Sequence, residues 1–95
     1  MSSLKLTQVF SGDEAWKKFV FFASKSWSNF LFKDALLHEV GGDLELAKVV
    51  AYRMGDGFKA GLDYPTPALE GKTPRWCIEN TGDLNGLKEL LLRMP

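Results

Sequence analysis

Apolar residues recur at helical spacing along most of this chain. Between Asp13 and Phe32, Trp16, Phe19, Val20, Ala23, Trp27, Phe30 and Leu31 fall on one arc of about 120° when placed on a helical wheel. Lys17, Lys18, Ser24, Lys25, Ser28 and Asn29 occupy the remainder, so the stretch is predicted to form one amphipathic helix. Phe21, Phe22 and Phe32 sit among the polar positions. Either other helices cover this element on more than one side, or the three rings meet a partner. Burial is the expectation, as for a small helical protein that sandwiches its first helix. Upstream, Leu4 to Phe10 alternates apolar and polar residues. A lone strand has nothing to pair with, so an extended arm is predicted there.

The helical pattern continues from Lys33 to Val40 through Ala35, Leu36 and Leu37, and Gly41-Gly42 ends it. Asp43 is placed to cap a helix reaching Met54, with Leu44, Ala47, Val50, Ala51 and Met54 as its stripe. A short turn of helix is allowed around Gly57–Leu62, weakened by its glycines. The segment Tyr64 to Gly71 is irregular, because Pro65 and Pro67 lack donors and bias their predecessors to extended geometry. Thr73-Pro74 restarts a helix, Thr as N-cap and Pro at the first helical position, ending near Asn80. Asp83 opens the last helix, whose face is Leu84, Leu87, Leu90, Leu91 and Met94. Gly-Asp recurs at Gly12-Asp13, Gly42-Asp43, Gly55-Asp56 and Gly82-Asp83, glycine ending a helix or shaping a turn and aspartate expected to cap the next helix by accepting its free N–H groups. The prediction is an all-α, single-domain bundle of about five helices over residues 1–95. An aromatic-rich part spans 1–42, and a second part with the proline loop spans 44–94.

Composition narrows the functional classes. Ninety-five residues with 45% hydrophobic and 25% charged content suit one folded domain. Twelve basic residues balance twelve acidic ones, a poor basis for non-specific nucleic-acid or membrane binding. The longest apolar run, Phe19 to Ala23, is far short of the ~20 residues that span a bilayer. The start, Met1-Ser2-Ser3-Leu4-Lys5, lacks a basic stretch followed by an apolar run, so a cytoplasmic protein is expected.

Candidate chemistry is sparse. Cys77 and His38 stand alone in kind, which excludes an internal disulfide and the usual Cys/His zinc sites. His38 has Asp34 one turn before it and Glu39 beside it, the outline of an oriented base, but no motif marks a nucleophile. A surface or helix-end role for His38 is favoured, and Cys77 reads as a small core residue. Gly55-Asp56-Gly57 lacks the Lys and spacing of a phosphate loop and follows a helix. No enzyme and no cofactor are predicted. Leu46 to Ala51, a glycine turn and a short segment have the outline of a helix-turn-helix, yet Lys59 is the only basic side chain of the would-be recognition helix. Nucleic acid is therefore not the expected partner.

The segment Tyr64-Pro65-Thr66-Pro67-Ala68-Leu69-Glu70-Gly71-Lys72-Thr73-Pro74 carries the most specific signal. It resembles the toxin-binding domain of the Xre/MbcA/ParS family of bacterial antitoxins, whose loop typically reads P-N-P-A-L-G-G-x-T-P. Pro65, Pro67, Ala68, Leu69, Gly71, Thr73 and Pro74 match that pattern. Cys77 and Ile78 occupy the place of a Leu-Leu pair. Leu87, Leu90, Leu91, Arg93 and Met94 fit a final helix of the form G-x-x-x-V-x-x-L-L-x-R-I. Leu46 to Val50 resembles the family's A-x-x-V-F helix. The resemblance covers about Leu44 to Met94. The chain departs from it at Thr66 for Asn, Glu70 for the first Gly, Asp83 for the Gly opening the last helix, and Gly61 for an aromatic residue before the loop. Nothing before Gly42 resembles the family's DNA-binding region.

The resemblance implies a small helical antitoxin that neutralises a RES-type toxin, an enzyme that consumes NAD or transfers ADP-ribose from it. In that family the antitoxin's C-terminal region covers or enters the toxin's NAD site. Carried onto this chain, the implied contacts are Lys72, Arg75, Arg93, Met94 and Pro95. Arginine suits such work because its planar fork pairs with carboxylates and phosphates. The alternative for Arg75 and Arg93 is a solvated place on exposed helix faces. Pro65, Pro67, Leu69, Gly71, Thr73 and Pro74 are expected to shape the loop rather than touch the partner. Self-association through the aromatic first helix is open. So are an interaction module with another partner and a DNA-binding autoregulator.

Overall fold

The computed structural model describes residues 3–94, and over these the chain is all-α. Its helices are α1 (Lys5–Gln8), α2 (Asp13–Trp27), α3 (Lys33–Glu39), α4 (Leu44–Met54), α5 (Phe58–Leu62), α6 (Pro74–Glu79) and α7 (Leu84–Arg93). Single 3-10 turns at Gly55–Gly57, Pro67–Leu69 and Thr81–Asp83 join the later ones.

α4 is the central element and packs against α2, α3, α5 and α7. It begins where the sequence places it, because the Asp43 carboxylate accepts the Leu46 N–H at 3.1 Å. Its buried face is Leu46, Ala47, Val49 and Val50. Leu44, predicted for the core stripe, lies outside: the buried arc centres on Leu46 and Val50, and Leu44 falls beyond its edge and is exposed. α3 ends in a Schellman-type closure, the Gly42 N–H reaching Leu37 O at 2.8 Å, with Gly41 and Gly42 at φ 72° and 83°.

α2 differs from its predicted span. Trp16, Val20 and Ala23 bury the expected stripe, but the helix stops at Trp27 instead of running to Phe32. Ser24 Oγ donates to Val20 O at 2.8 Å and Ser26 Oγ to Ala23 O at 3.2 Å, serine bonds that compete with the helical ladder. Turn bonds from Asn29 N–H to Ser26 O and from Phe30 N–H to Trp27 O then reverse the chain. The break swings Phe30 back onto Trp27 and Phe58, at ring separations of 5.8 and 6.1 Å. It also carries Leu31 outward, to 84% exposure, against its predicted place on the core arc.

Burial of Phe21, Phe22 and Phe32 is likewise overturned: they are 72%, 47% and 45% exposed. α2 meets α4 and α7 through its Trp16–Val20–Ala23 side, and its opposite face is left open among the described residues.

The N-terminal segment is a one-turn helix, not the predicted extended arm. Leu4 and Leu6 are buried and α1 lies along α7. The approach is close because Gly86 of α7 has no side chain; a Cβ there would stand 2.7 Å from Thr7 Oγ1. Three distant carboxylates fasten the segment. Asp83 Oδ1 accepts Leu4 N–H at 2.9 Å and the Thr7 hydroxyl at 2.8 Å, and Glu70 Oε2 accepts Lys5 N–H at 2.8 Å. Glu89 Oε1 accepts both the N–H and the hydroxyl of Ser11 at 2.8 Å. Asp83 therefore precedes the last helix as predicted, but its side chain serves α1 and makes no cap for α7; Asp13 and Asp56 make no side-chain cap either, so of the four Gly-Asp pairs Asp43 alone caps as expected.

Candidate functional site

The proline loop is a compact turn hung on one buried leucine. Leu69 is fully buried, and the turn around it contacts α1 and α7. Thr66 organises the backbone: its N–H donates to Lys72 O at 3.1 Å, and its carbonyl accepts from Leu69 N–H at 2.9 Å and Gly71 N–H at 3.1 Å. Pro65 and Pro67 are exposed, and Pro67 opens the 3-10 turn, where its missing N–H leaves no bond unmade. Two consecutive residues, Glu70 at φ 56° and Gly71 at φ 85°, take left-handed conformations that reverse the chain. Glycine has no penalty there, whereas a residue with a Cβ costs roughly 1–2 kcal/mol. Thr73 Oγ1 then accepts the Trp76 N–H at 3.0 Å and Pro74 is buried at the first helical position, as the sequence predicts.

The implied contact residues separate into different surroundings. Lys72 is exposed, with Nζ 5.0 Å from the centre of the Trp76 ring. Arg75 turns inward to a clasp: Nε donates to Asp63 Oδ1 at 2.6 Å and Nη2 to Glu39 Oε1 at 2.7 Å. These hydrogen bonds, from Asp63 first and then Glu39, raise the guanidinium's already high pKa, so it stays charged. One side chain thus ties α6 to α3 and to the residue ending α5. Arg93 Nε donates to Glu89 Oε2 at 2.6 Å, and its side chain is still 55% exposed. Met94 packs partly buried against the core, and Pro95 lies outside the described residues. Arg75 and Arg93 share no hydrogen-bond partner: one is held by Asp63 and Glu39, the other by Glu89.

Titratable groups elsewhere do not converge. Cys77 is buried in α6, and burial, with a smaller contribution from Asp83, pushes its thiol up to about 11. A protonated, enclosed thiol is a poor nucleophile. Burial acts to raise the Glu89 carboxyl, but the Arg93 guanidinium and the Ser11 amide and hydroxyl outweigh it and hold the group below the ordinary carboxylate range. His38 and Asp34 are both exposed on α3. Among the described residues, no three His, Cys, Asp or Glu side chains are grouped to hold a metal ion, and no helix is long and apolar enough to cross a membrane. The outlined helix-turn-helix places α5 behind α4, but α5 spends Phe58 and Leu62 on the core and offers Lys59 alone.

Helical periodicity gives little sign of the other prominent surface. Phe19, Phe22 and Tyr52 form a ring cluster across α2 and α4, with edge contacts at 5.7 and 5.2 Å to Tyr52. Lys25 Nζ lies 5.7 and 5.8 Å from the Phe21 and Phe22 ring centres. Phe21 and Phe22 stand out in the sequence as apolar residues on a polar face, whereas Tyr52 reads as an ordinary helix residue until α4 sets it beside them. No family model, curated protein or solved structure matches the chain.

Proposed function

We propose that the chain is a non-enzymatic, antitoxin-like binding protein that neutralises a RES-type toxin, one that consumes NAD or transfers ADP-ribose from it. The observation that carries this reading is the backbone of the proline loop. The family pattern has two glycines after its leucine, and the two residues in that place here, Glu70 and Gly71, take the left-handed conformations that favour glycine. Leu69 fills the core as the loop's anchor, and Thr73-Pro74 opens α6 as the T-P of the pattern would. Glu70 departs from the pattern in side chain but keeps its backbone, and its carboxylate gains the bond to Lys5 N–H. On this reading Lys72 and the exposed part of Arg93 are the cations offered to the partner, and Arg75 positions the loop from within.

A second reading, a protein-interaction module of this fold with another partner, is favoured by the Arg75 clasp. A guanidinium held by Asp63 and Glu39 is not presented toward an incoming ligand. Affinity purification of the tagged protein from its native host separates the two. The first reading predicts a stoichiometric RES-type protein in the eluate, depleted with Lys72→Glu and Arg93→Glu, which reverse the cations offered to it. A stoichiometric partner of any other kind, retained with Lys72→Glu and Arg93→Glu, contradicts it.

A further inference from the structure

The open face of α2 is charge-patterned to meet a copy of itself. Glu14, Lys18, Phe21 and Lys25 follow one another at spacings of four, three and four residues, so they form a single stripe along the helix. All four are exposed, Phe21 to 72%. The stripe is acidic at Glu14, whose Oε1 lies 3.8 Å from Lys18 Nζ in an exposed pair that a copy's Lys25 would join, and basic from Lys18 to Lys25. Glu14 and Lys25, eleven residues apart, are separated by about 16 Å at 1.5 Å per residue.

An antiparallel copy of the stripe reverses this order. In the register that sets Glu14 opposite the copy's Lys25, Lys18 falls opposite the copy's Phe21, because both pairs of residue numbers have the same sum. The two Phe21 side chains are then about 4.5 Å apart along the axis, side by side at the centre, with an ion pair closing each end. A shallow, open depression lined by Asp13, Glu14, Lys17, Lys18 and Phe21 adjoins Lys18, the residue opposite the copy's Phe21 in that register. The two Lys18 side chains flank the centre at the same axial spacing; a register two residues further along each helix would pair Phe21 with Phe22 but would set Lys18 against Lys25 and leave Glu14 opposite Asn29, with no cation facing it.

We propose that the protein forms a two-fold homodimer through antiparallel α2 helices, with Phe21 at its centre and Glu14 paired to Lys25 of the second copy at both ends. The arrangement is carried by α2 alone and does not rest on the toxin reading.

Sedimentation equilibrium over a concentration series tests it. The unaltered chain is expected to pass reversibly from monomer to dimer. Glu14→Lys and Lys25→Glu each replace two attractive pairs by two repulsive ones, and each should raise the dimer dissociation constant about tenfold or more at low salt. The double reversal Glu14→Lys/Lys25→Glu should restore it to within about threefold of the original. Because each single reversal also opposes the helix dipole, circular dichroism accompanies the series. Phe21→Ser, at a residue that supports no core contact, should leave the spectrum intact and abolish the dimer. A chain that is monomeric throughout, a dimer indifferent to Phe21→Ser, or single reversals that the double change fails to rescue would each overturn the proposal.

Discussion

Gly86→Ala inverts the ordinary rule for a helix interior, where replacing glycine by alanine gains about 1 kcal/mol from propensity. Gly86 sits in α7 under α1, and the added Cβ would stand 2.7 Å from Thr7 Oγ1, 3.3 Å from Thr7 N and 3.6 Å from Leu4 Cδ1. The hydroxyl cannot rotate away without loss, because it donates to the Asp83 carboxylate at 2.8 Å. Bonds of that kind contribute about 1.5–3 kcal/mol. The other escape is to lift α1, which exposes Leu4 and Leu6, each contributing on the order of 1.5–3 kcal/mol by burial. Either route exceeds the gain in propensity, and a net loss of about 1–2 kcal/mol is expected, in the range of overpacked cores. Urea unfolding followed by far-UV circular dichroism reads it as a lower midpoint at similar slope. In a Thr7→Ala background the cost should shrink by about 1 kcal/mol, since the nearest atom and its bond are already gone. Gly82→Ala, with open space around its Cβ position, serves as the control and should be nearly neutral. A stabilised Gly86→Ala protein would refute the close packing of α1 on α7.

Three further outcomes are expected. Leu69→Ala should cost about 2–5 kcal/mol in the same unfolding assay, because a fully buried leucine leaves a cavity that the proline-stiffened loop fills poorly. Gly71→Ala should cost about 1–2 kcal/mol from its φ of 85°, whereas Glu70→Gly should stay within about 1 kcal/mol of neutral, relief of the left-handed backbone offsetting the lost bond to Lys5. The Glu89 carboxyl is depressed in the folded state, so its contribution is complete above the ordinary glutamate pKa of about 4.3 and is lost as pH falls through the lower folded value. Stability measured between about pH 6 and 3 should therefore decline less steeply in Glu89→Gln than in the unaltered chain, from a lower starting point.

Local chemistry was legible in the sequence and long-range pairing was not. Asp43 and Thr73 cap their helices through bonds that span three residues, and Leu69 announces itself as the one large aliphatic residue of the proline loop. The break after Trp27 depends on Ser24 and Ser26 bonding backward in a stretch whose periodicity runs on unbroken to Leu31. Leu4 and Leu6 alternate like a strand, and only the bare surface at Gly86 and the carboxylate of Asp83 make them a helical turn. Arg75 carries no local mark of its fate, since Asp63 and Glu39 reach it from elements 12 and 36 residues away. The same holds for Tyr52, which joins the phenylalanines of α2 only once α4 is packed.

The most direct measurement of the binding reading is NAD turnover by the protein that co-purifies with this chain, assayed in the complex and again after the chain is stripped away. The account predicts a partner that is silent in the complex, consumes NAD when freed, and is silenced again by re-adding this protein at equimolar amount. A partner without NAD turnover when freed, or one whose turnover this protein leaves unchanged, would contradict it.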